Sequence, residues 1–555
     1  MSDVLSGVRF APSETVDFVV VGSGSAGGVV ARELSRAGFR VVVLEQGPKF
    51  TRADFHHDEI EVVLRNKLAV NPAVKPVTYR KTPDEKAKVR PWLIYGVAVG
   101  GGSVHFTANY WRFRPIDFRE RSTNGEIEGT DIDDWPISYE ELEPYYTKVE
   151  WEVGVSGQAG VNPDDAPRSK PFPMPPLPIN SAGVLMELGA KKLGWKVQPA
   201  PMAIPSRPYR GREACHQCGW CYAFGCEWGA KSSTLFTMLP QAVATRRCEI
   251  RDHAYVRKVE TDDRGRVTGV IYFDRDKREV MQKARAVVLC ANGAETPRLL
   301  LMSTSNRFPD GLANSSGLVG KRLMVNGGAY VGGVFEHPVN GFKGAPVTRI
   351  SLEHYVLDQS LGIHGGGGMD FRFASTPIQF SLGRSPDDRG WGRDWWRALK
   401  HDYSRTLYAF GHTTSLPVLT NSFSLDDEVK DAWGLPAIRV TFKDTDNEMR
   451  LQNYFRDRCV EYLHAAGAHS IRPDPITDDP GAGFHLLGTC RMGNDPARSV
   501  VNASHRAHDV PNLFIVDGSS FVTSGRGQPT MTIQALAFRA SEHIAAAAKR
   551  GELGS

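Results

Sequence analysis

A histidine late in the chain has the surroundings of a catalytic base. His485 lies in the segment Phe484–Gly493, between apolar residues and a Gly-Thr pair. Because imidazole titrates near neutral pH, a positioned histidine can take the proton of a hydroxyl group while hydride leaves the attached carbon. The alternative is a structural histidine whose nitrogens are satisfied by backbone groups. Oxidation of the alcohol also needs an acceptor for the hydride, and the N-terminal region has the pattern of a site that could bind one.

The N-terminal region has the pattern of a dinucleotide-binding βαβ unit. A β-branched run at 18–21 predicts a buried parallel strand, 26–37 predicts a helix, and 40–45 predicts a second strand. The turn between them permits close backbone approach to a pyrophosphate, which would lie at the helix N-terminus. The second strand ends in an acid that can bind ribose hydroxyls. The residues assigned to this site are Gly22, Gly24, Ser25, Ala26, Gly27 and Glu45.

Two alternatives remain open at this end of the chain. A glycine-rich turn without any ligand is the simpler one, and the acid at Glu45 argues against it. A carboxylate at this position favours an unphosphorylated ribose, which both NAD and FAD carry.

Four ordered segments resemble the glucose–methanol–choline (GMC) oxidoreductases, and the likeness covers nearly the whole chain. They are 99–105 (VGGGSVH), 293–300 (GAETPRLL), the His485 segment, and 517–518 leading into 528–532 (QPTMT). Further segments at 111–118, 134–139 and 171–178 resemble the catalytic subunits of bacterial sugar and polyol dehydrogenases. The resemblance implies FAD rather than a nicotinamide, and an NAD dehydrogenase becomes the weaker alternative.

The resemblance also implies a fold and a set of cofactor contacts. The expected fold class is α/β + β, a Rossmann-like FAD-binding domain joined to an antiparallel-sheet substrate-binding domain. The additional cofactor-binding residues that it implies are Gly100, Gly101, Ser103, His105, Asn109, Val256, Asp517, Gly518, Pro529 and Thr530. His105 resembles the position at which some family members tether the flavin covalently, and a histidine that only packs beside the ring is the alternative.

The catalytic pair departs from the family pattern at its second member. His485 matches the family's catalytic histidine, whereas Gln528 stands where the family usually has histidine or asparagine. Glutamine can hydrogen-bond a substrate oxygen through its amide, but it cannot act as a second base. A purely structural role is the alternative for Gln528.

Four cysteines cluster in the middle of the chain. Thiolates spaced as in Cys215, Cys218, Cys221 and Cys226 could bind an iron–sulfur cluster or zinc. The last spacing differs from that of bacterial ferredoxins, however, and no histidine follows at zinc-finger spacing. A buried thiol turn without metal is therefore preferred, and the predicted metal set is empty.

The chain divides into interleaved domains. Residues 1–330 are predicted to form the FAD-binding domain, with surface excursions at 51–90 and 154–180 that are rich in charge and proline. Residues 331–480 contain four strand patterns and are predicted to form the antiparallel substrate-binding sheet. Residues 481–555 return to the FAD-binding domain with the catalytic motif and a closing helix from about Gln534 to Lys549.

Composition excludes several classes of protein. The chain has 67 basic and 63 acidic residues, a balance that argues against a nucleic-acid binder. No apolar stretch reaches the roughly 18 residues of a membrane span. The first nine residues lack the pattern of a signal peptide, so a cytoplasmic site is expected, with export alongside a partner subunit as the alternative.

The sequence therefore predicts an FAD-dependent dehydrogenase or oxidase acting on the CH–OH group of a sugar, glycoside or polyol. His485 would take the hydroxyl proton, and Gln528 would orient the oxygen. Electrons would pass to a quinone, a cytochrome or oxygen, with a small or cytochrome subunit as a candidate partner. The alternatives are oxidation of a hydrophobic or aromatic alcohol and a catalytically inactive flavoprotein subunit.

Overall fold

The computed structural model describes residue 5 and residues 7–373, 375–383 and 391–553. Residues 1–4 and 6, which belong to the N-terminal segment that lacks a signal-peptide pattern, lie outside the described residues. Within the described part of the chain, no helix has the length and apolar character that crossing a membrane requires.

The described residues form seventeen strands, which differ greatly in length. In chain order they are β1 Val16–Val21, β2 Val41–Leu44, β3 Val77–Arg80, β4 Lys88–Val89, β5 Gln198–Pro199, β6 Cys248–Arg251, β7 Tyr255–Thr261, β8 Val267–Phe273, β9 Glu279–Leu289, β10 Gly328–Val334, β11 Arg349–Ser351, β12 Gly367–Arg372, β13 Thr406–Thr413, β14 Ser422–Lys430, β15 Pro436–Thr441, β16 Ser470–Pro473 and β17 Leu513–Ile515.

Ten α-helices accompany these strands in the described ranges. They are α1 Ser25–Arg36, α2 Glu120–Asn124, α3 Tyr139–Val153, α4 Ser181–Leu193, α5 Met238–Ala244, α6 Asn292–Met302, α7 Pro377–Gly383, α8 Arg393–Asp402, α9 Asp446–Ala466 and α10 Thr530–Lys549. The predicted first and closing helices are confirmed to within a few residues of their expected starts.

The first sheet is the dinucleotide-binding sheet that the N-terminal pattern predicts. Its parallel part has the order β6-β2-β1-β9, with β17 pairing along the end of β9. The first half of β9 pairs antiparallel with β8, which continues the sheet into a β7–β8–β9 ribbon. β1 and β2 are almost entirely buried, as their valine-rich sequences predict, and helix α1 packs against both strands.

The second sheet confirms the prediction of an antiparallel sheet. Its six strands have the order β16-β10-β13-β12-β11-β5, and every pairing between them is antiparallel. Helices α4 and α9 pack against this sheet around Phe371, Phe455 and Tyr462. The edge strand β5 comes from residues 198–199, so the sheet extends beyond the predicted range of 331–480.

Three predictions about the layout are wrong. The 51–90 excursion does not lie wholly on the surface, because Leu68, Val77 and Tyr79 are buried and β3 pairs in parallel with β15. This third sheet, β14-β15-β3-β4, takes β15 away from the antiparallel sheet in which it was expected. The apolar residues of β3 and β15 pack together around the buried Trp92, which provides the physical reason. In the 154–180 excursion, Val155 and Leu177 are likewise buried.

Candidate active site

A large cavity opens at the carboxyl edge of the parallel sheet, where open α/β sheets bind their ligands. Its volume is about 690 Å³. The cavity extends from the turn after β1, past the ends of β2 and β9, to the wall formed by β10, β12 and β13. It therefore joins the predicted nucleotide site to the predicted chemical site in one continuous space.

The glycine turn after β1 is fixed by contacts that exclude larger residues. Gly22 has φ +95°, and a Cβ there would lie 2.4 Å from the carbonyl oxygen of Cys290. A Cβ on Gly27 would lie 1.9 Å from the carbonyl oxygen of Gly22. No side chain caps the start of α1, so its first N–H groups are available to an anion. Gly24, Ser25 and Ala26 line the cavity, whereas Gly27 shapes the turn without facing it.

Glu45 is held in place by hydrogen bonds from the turn. Its Oε2 accepts from the backbone N–H and the hydroxyl of Ser23 at 3.0 and 2.7 Å, and its Oε1 accepts from the Gly47 N–H at 2.9 Å. Burial raises the pKa of this carboxyl. Glu45 lines the cavity, and Oε1 has capacity for another donor, as the predicted contact with ribose requires.

The second glycine loop lies directly against the first. The Gly100 N–H donates to Ser23 Oγ at 2.9 Å, and a Cβ on Gly101 would lie 2.7 Å from Gly24 Cα. Gly101 and Ser103 line the cavity, while Gly100 supports the loop from behind. The two loops therefore present continuous backbone to a ligand.

His105 and Asn109 have different surroundings. His105 lines the cavity, and its Nε2 finds no hydrogen-bond partner among the described residues. Burial, assisted by Lys231, lowers the pKa of His105 to about 4, so the ring is neutral. Asn109 is buried away from the cavity lining, and neither atom of its amide has a partner within the described chain. Asn109 was predicted to contact the cofactor, and the structure does not place it there.

The remaining predicted cofactor residues line the same cavity, namely Val256 of β7, Asp517, Gly518, Pro529 and Thr530. Asp517 accepts hydrogen bonds from the Asn292 N–H at 3.1 Å, the Thr296 hydroxyl at 2.6 Å and the Ser519 N–H at 2.9 Å. This carboxylate therefore ties the start of α6 to the segment that leads into α10. Burial raises the pKa of Asp517.

The predicted catalytic pair lies at the far wall of the cavity. His485 is half-buried and lines the cavity, and its Nδ1 has no hydrogen-bond partner within the part of the chain that the structure describes. Burial and the nearby His412 lower the pKa of His485 to about 3, which keeps the ring neutral. Gln528 lines the same wall, and its Nε2 lies 3.1 Å from Nδ1 of His412.

His412 is a site residue that sequence reasoning missed. It lies next to the last residue of β13, which ends at Thr413. His412 is 3% exposed, and it lines the cavity beside Arg372 and Phe410. A histidine within an otherwise apolar buried strand was the available signal, because such a residue needs a polar partner. Its partner, Asp370, lies on the adjacent strand β12.

The cysteine cluster folds around an ammonium group. Lys231 Nζ is buried and donates to the carbonyl oxygens of Cys221 and Phe224, both at 2.7 Å. Burial raises the pKa of the Cys215 thiol to about 11 and that of Cys221 to about 12. Within the described ranges, no group of three or more His, Cys, Asp or Glu side chains is arranged to hold a metal ion. The geometry therefore gives no support to a cluster ligated by Cys215, Cys218, Cys221 and Cys226.

Comparison with known families accounts for this arrangement. Residues 16–326 match the N-terminal model of GMC oxidoreductases, and residues 417–537 match the C-terminal model. The chain belongs to the GMC oxidoreductase family. It is a flavoprotein oxidoreductase, and the family's cofactor is FAD, so the nicotinamide alternative is set aside. The two matched ranges leave residues 327–416 between them, which include Asp370, Arg372 and His412.

Several curated proteins are similar over nearly the full length of this GMC oxidoreductase. The 2-methyl-1,2-propanediol dehydrogenase of Mycolicibacterium austroafricanum is 38% identical, with 96% of this chain and 95% of the relative covered. The fructose dehydrogenase large subunit of Gluconobacter japonicus is 30% identical, with coverage of 97% and 99%. The paromamine 6'-oxidase of Streptomyces fradiae is 31% identical, with coverage of 95% and 91%.

Solved structures share the fold of this GMC oxidoreductase at low sequence identity. Pyridoxine 4-oxidase from Mesorbium loti has a TM-score of 0.61 at 19% identity, covering 95% of this chain and 99% of its own. Formate oxidase from Aspergillus oryzae RIB40 has a TM-score of 0.65 at 14% identity, covering 98% and 99%. At these identities the likeness concerns the fold alone.

The cavity fits FAD by its own geometry. Two glycine loops in mutual contact and the uncapped start of α1 suit a pyrophosphate, and Glu45 suits a ribose. His105 and His485 line the same cavity as these groups. These residues would hold the dinucleotide along the sheet edge and leave the far wall for substrate.

Proposed function

We propose that this protein oxidises a CH–OH group of a sugar, glycoside or polyol to a carbonyl, with FAD as its cofactor. The observation that carries the proposal is the neutral imidazole of His485, whose buried Nδ1 has no partner among the described residues and which lines the same cavity as the dinucleotide loops. The fructose dehydrogenase and diol dehydrogenase relatives support this substrate class.

The side chains divide the chemistry between them. Bound flavin supplies the acceptor for the hydride that leaves the alcohol carbon. His485 takes the hydroxyl proton, and burial favours its neutral, proton-accepting form. Gln528 orients the substrate through its amide, and residues of β10, β12 and β13 form the cavity wall beside it.

The test is an anaerobic screen of sugars, polyols and simple alcohols that follows bleaching of the flavin absorbance. Wild type should bleach with at least one polyol or sugar. His485→Ala should retain the flavin spectrum and bleach about 10²–10⁴ times more slowly. His354→Ala is the matched control, because it removes another imidazole of low pKa that lies outside the cavity lining. Equal rates for wild type and His485→Ala would reject His485 as the base.

A second candidate is oxidation of a hydrophobic or aromatic alcohol. The substrate end of the cavity carries the aromatic side chains of Tyr222, Tyr330, Phe410 and Phe484. Benzyl alcohol in the same screen separates the two candidates, because it should bleach the flavin faster than any polyol only if the second is correct. No bleaching by any of these alcohols would instead indicate an inactive flavoprotein subunit.

We propose that His105 is positioned to carry a covalent bond to the flavin. Its unpartnered Nε2 and its place beside the second glycine loop support this assignment. Mass spectrometry of the denatured holoprotein should show one FAD added to the peptide that contains His105, and His105→Ala should release all of its flavin on denaturation. Complete release from wild type would show that the ring only packs beside the flavin.

We propose that electrons leave through an external acceptor, which is a quinone, a cytochrome or oxygen. The relatives named as a fructose dehydrogenase large subunit and a gluconate 2-dehydrogenase flavoprotein support a partner subunit. Reoxidation of the reduced protein by oxygen and by a soluble quinone, measured separately, distinguishes an oxidase from a dehydrogenase. Iron analysis of the same protein decides whether the cysteines bind a cluster, and the Lys231-centred packing predicts less than one iron per chain.

A further inference from the structure

We propose that Asp370 and His412 fix the amide of Gln528 so that its oxygen accepts a hydrogen bond from a second substrate hydroxyl, next to the one oxidised. This inference rests on the proposed function, which it deepens by naming vicinal diols and polyols as the preferred substrates. Asp370 and His412 act as positioning residues, since they reach the substrate only through Gln528.

Asp370 and Arg372 form a buried ion pair beside the cavity. Both side chains are almost fully buried, and Arg372 Nε donates to Asp370 Oδ1 at 2.5 Å while its Nη2 contacts Oδ2. Although burial opposes ionisation, the Arg372 guanidinium and His412 hold the pKa of Asp370 below its ordinary value. An ionised carboxylate can only accept hydrogen bonds.

The tautomer of His412 follows from that carboxylate. Nε2 of His412 lies 2.9 Å from Oδ2 of Asp370, so Nε2 must carry the hydrogen that this contact requires. Arg372 Nη2 is also 3.2 Å from this nitrogen, but the shorter contact with the carboxylate requires a hydrogen on Nε2, because a lone pair there would face the lone pairs of Oδ2. Burial lowers the pKa of His412 and keeps the ring neutral. Nδ1 is therefore an acceptor.

The orientation of Gln528 follows from the tautomer. At 3.1 Å from an accepting Nδ1, the group of Gln528 that faces His412 must be the amide NH₂. The amide oxygen is then directed away from His412, and the described residues give it no hydrogen-bond donor. Because Gln528 lines the cavity, this oxygen is available to a ligand.

The hydrogens of the substrate hydroxyl groups decide which of them can donate to the Gln528 amide oxygen. The reacting hydroxyl has one hydrogen. This hydrogen is the proton that is lost in oxidation, and His485 takes it. An accepting oxygen on Gln528 therefore needs another donor, and a neighbouring hydroxyl provides one. A site that pairs with a hydroxyl discriminates strongly against an analogue that lacks it.

The experiment compares three alcohols that differ at one position. Propane-1,2-diol, 2-methoxypropan-1-ol and 2-methylpropan-1-ol carry a hydroxyl, a methoxy group and a methyl group beside the reacting carbon. For the holoenzyme, we expect kcat/KM for the diol to exceed that of both analogues by at least about 10-fold. If the methyl ether reacts as fast as the diol, the amide donates rather than accepts, and the proposal is overturned.

Two variants of His412 separate positioning from packing. His412→Asn keeps an acceptor near the place of Nδ1 and should keep the preference for the diol, whereas His412→Leu removes the acceptor and should reduce the preference to within about threefold. If the histidine served packing alone, the apolar leucine would be tolerated at least as well as asparagine, and that order would overturn the proposal. Asp370 and Arg372 remain paired in both variants, so the fold should persist. His354→Leu is the matched control and should retain the wild-type preference.

A measurement that needs no turnover keeps this proposal distinct from the proposed function. ¹⁵N NMR of the holoprotein labelled at histidine should show His412 as the neutral tautomer protonated at Nε2, with the resonance assigned by its loss in His412→Asn. A hydrogen on Nδ1 would overturn the proposal whatever the alcohols do. The predicted tautomer in a protein whose flavin no alcohol reduces would overturn the proposed function alone.

Discussion

Ser23 and Glu45 are joined by two hydrogen bonds across the nucleotide turn, and Ser23 also accepts from the N–H of Gly100. One buried hydroxyl thus connects the first glycine turn, the acid at the end of β2 and the second glycine loop. The G-x-G-x-x-G pattern does not specify this residue, but the spacing of both loops depends on it.

Ser23→Ala tests this connection. Removing the hydroxyl takes a donor from Glu45 and an acceptor from Gly100, so the unfolding free energy should fall by about 1–3 kcal/mol. Denaturant unfolding of the flavin-free protein measures the change. Ser25→Ala is the control, because its hydroxyl makes no hydrogen bond with the described residues, and it should change stability by less than about 0.5 kcal/mol. Equal effects of the two substitutions would contradict the proposed role of Ser23.

Alanine substitutions at two glycines of this turn should have different effects, one on stability and the other on FAD binding. Gly27→Ala places a methyl group 1.9 Å from the Gly22 carbonyl oxygen, so we expect a loss of about 3 kcal/mol or more, seen as reduced soluble yield and an early thermal transition. A Cβ on Gly24 would meet nothing closer than Gly101 Cα at 3.7 Å. Gly24→Ala should therefore fold normally and bind FAD at least about 10-fold more weakly, measured by flavin titration. Normal flavin affinity in Gly24→Ala would exclude close approach of the pyrophosphate to this residue.

The acid limb of the pH–rate profile should lie far below neutrality. A base works in its deprotonated form, so activity is lost as pH falls through the pKa of His485. Burial and His412 lower that pKa from 6.5 to about 3, and the imidazole therefore stays neutral at pH 5. Stopped-flow bleaching of the flavin should be constant between pH 5 and pH 7. If the bleaching rate instead falls to half of its maximum near pH 6.5, the bound cofactor and substrate restore the ordinary pKa of His485.

Lys75 tests the buried part of the 51–90 segment. Its ammonium donates to Glu295 Oε1 at 2.9 Å and lies 3.9 Å from the centre of the Tyr255 ring. Despite the opposing effect of burial, Lys75 and Arg298 lower the pKa of Glu295 to about 2. Lys75→Met leaves that carboxylate with Arg298 and the hydroxyl of Tyr95, and the loss of one buried charge partner should cost about 3 kcal/mol in denaturant unfolding.

Lys81→Met is the matched control for Lys75→Met. Lys81 lies in the same 51–90 segment, and its Nζ is 2.6 Å from Oδ1 of Asp478, but both side chains are well exposed. Water screens such pairs, so we expect a cost below about 1 kcal/mol. Similar costs for the two lysines would mean that the buried pair adds nothing to stability beyond a surface pair.

Local patterns in the sequence were enough to identify the dinucleotide unit, because strand, turn and helix there are specified by residues close together along the chain. The glycines from Gly22 to Gly27 and the acid at Glu45 act through backbone geometry that depends on residue type and spacing. The antiparallel sheet could be anticipated for the same reason, since runs of apolar and aromatic residues between turns, as in β10 and β13, are a local property.

The tertiary structure alone decided which side chains meet at the chemical end of the cavity. Gln528 and His412 are 116 residues apart, and only the docking of the segment before α10 against the end of β13 brings them into contact. The orientation of the Gln528 amide then depends on a carboxylate from a third segment, Asp370. The sequence by itself determined the kind of cofactor, because the residues that hold it form local motifs. The fold decided what the pocket can recognise, because hydrogen-bond direction there is set by pairs of residues that are far apart in sequence.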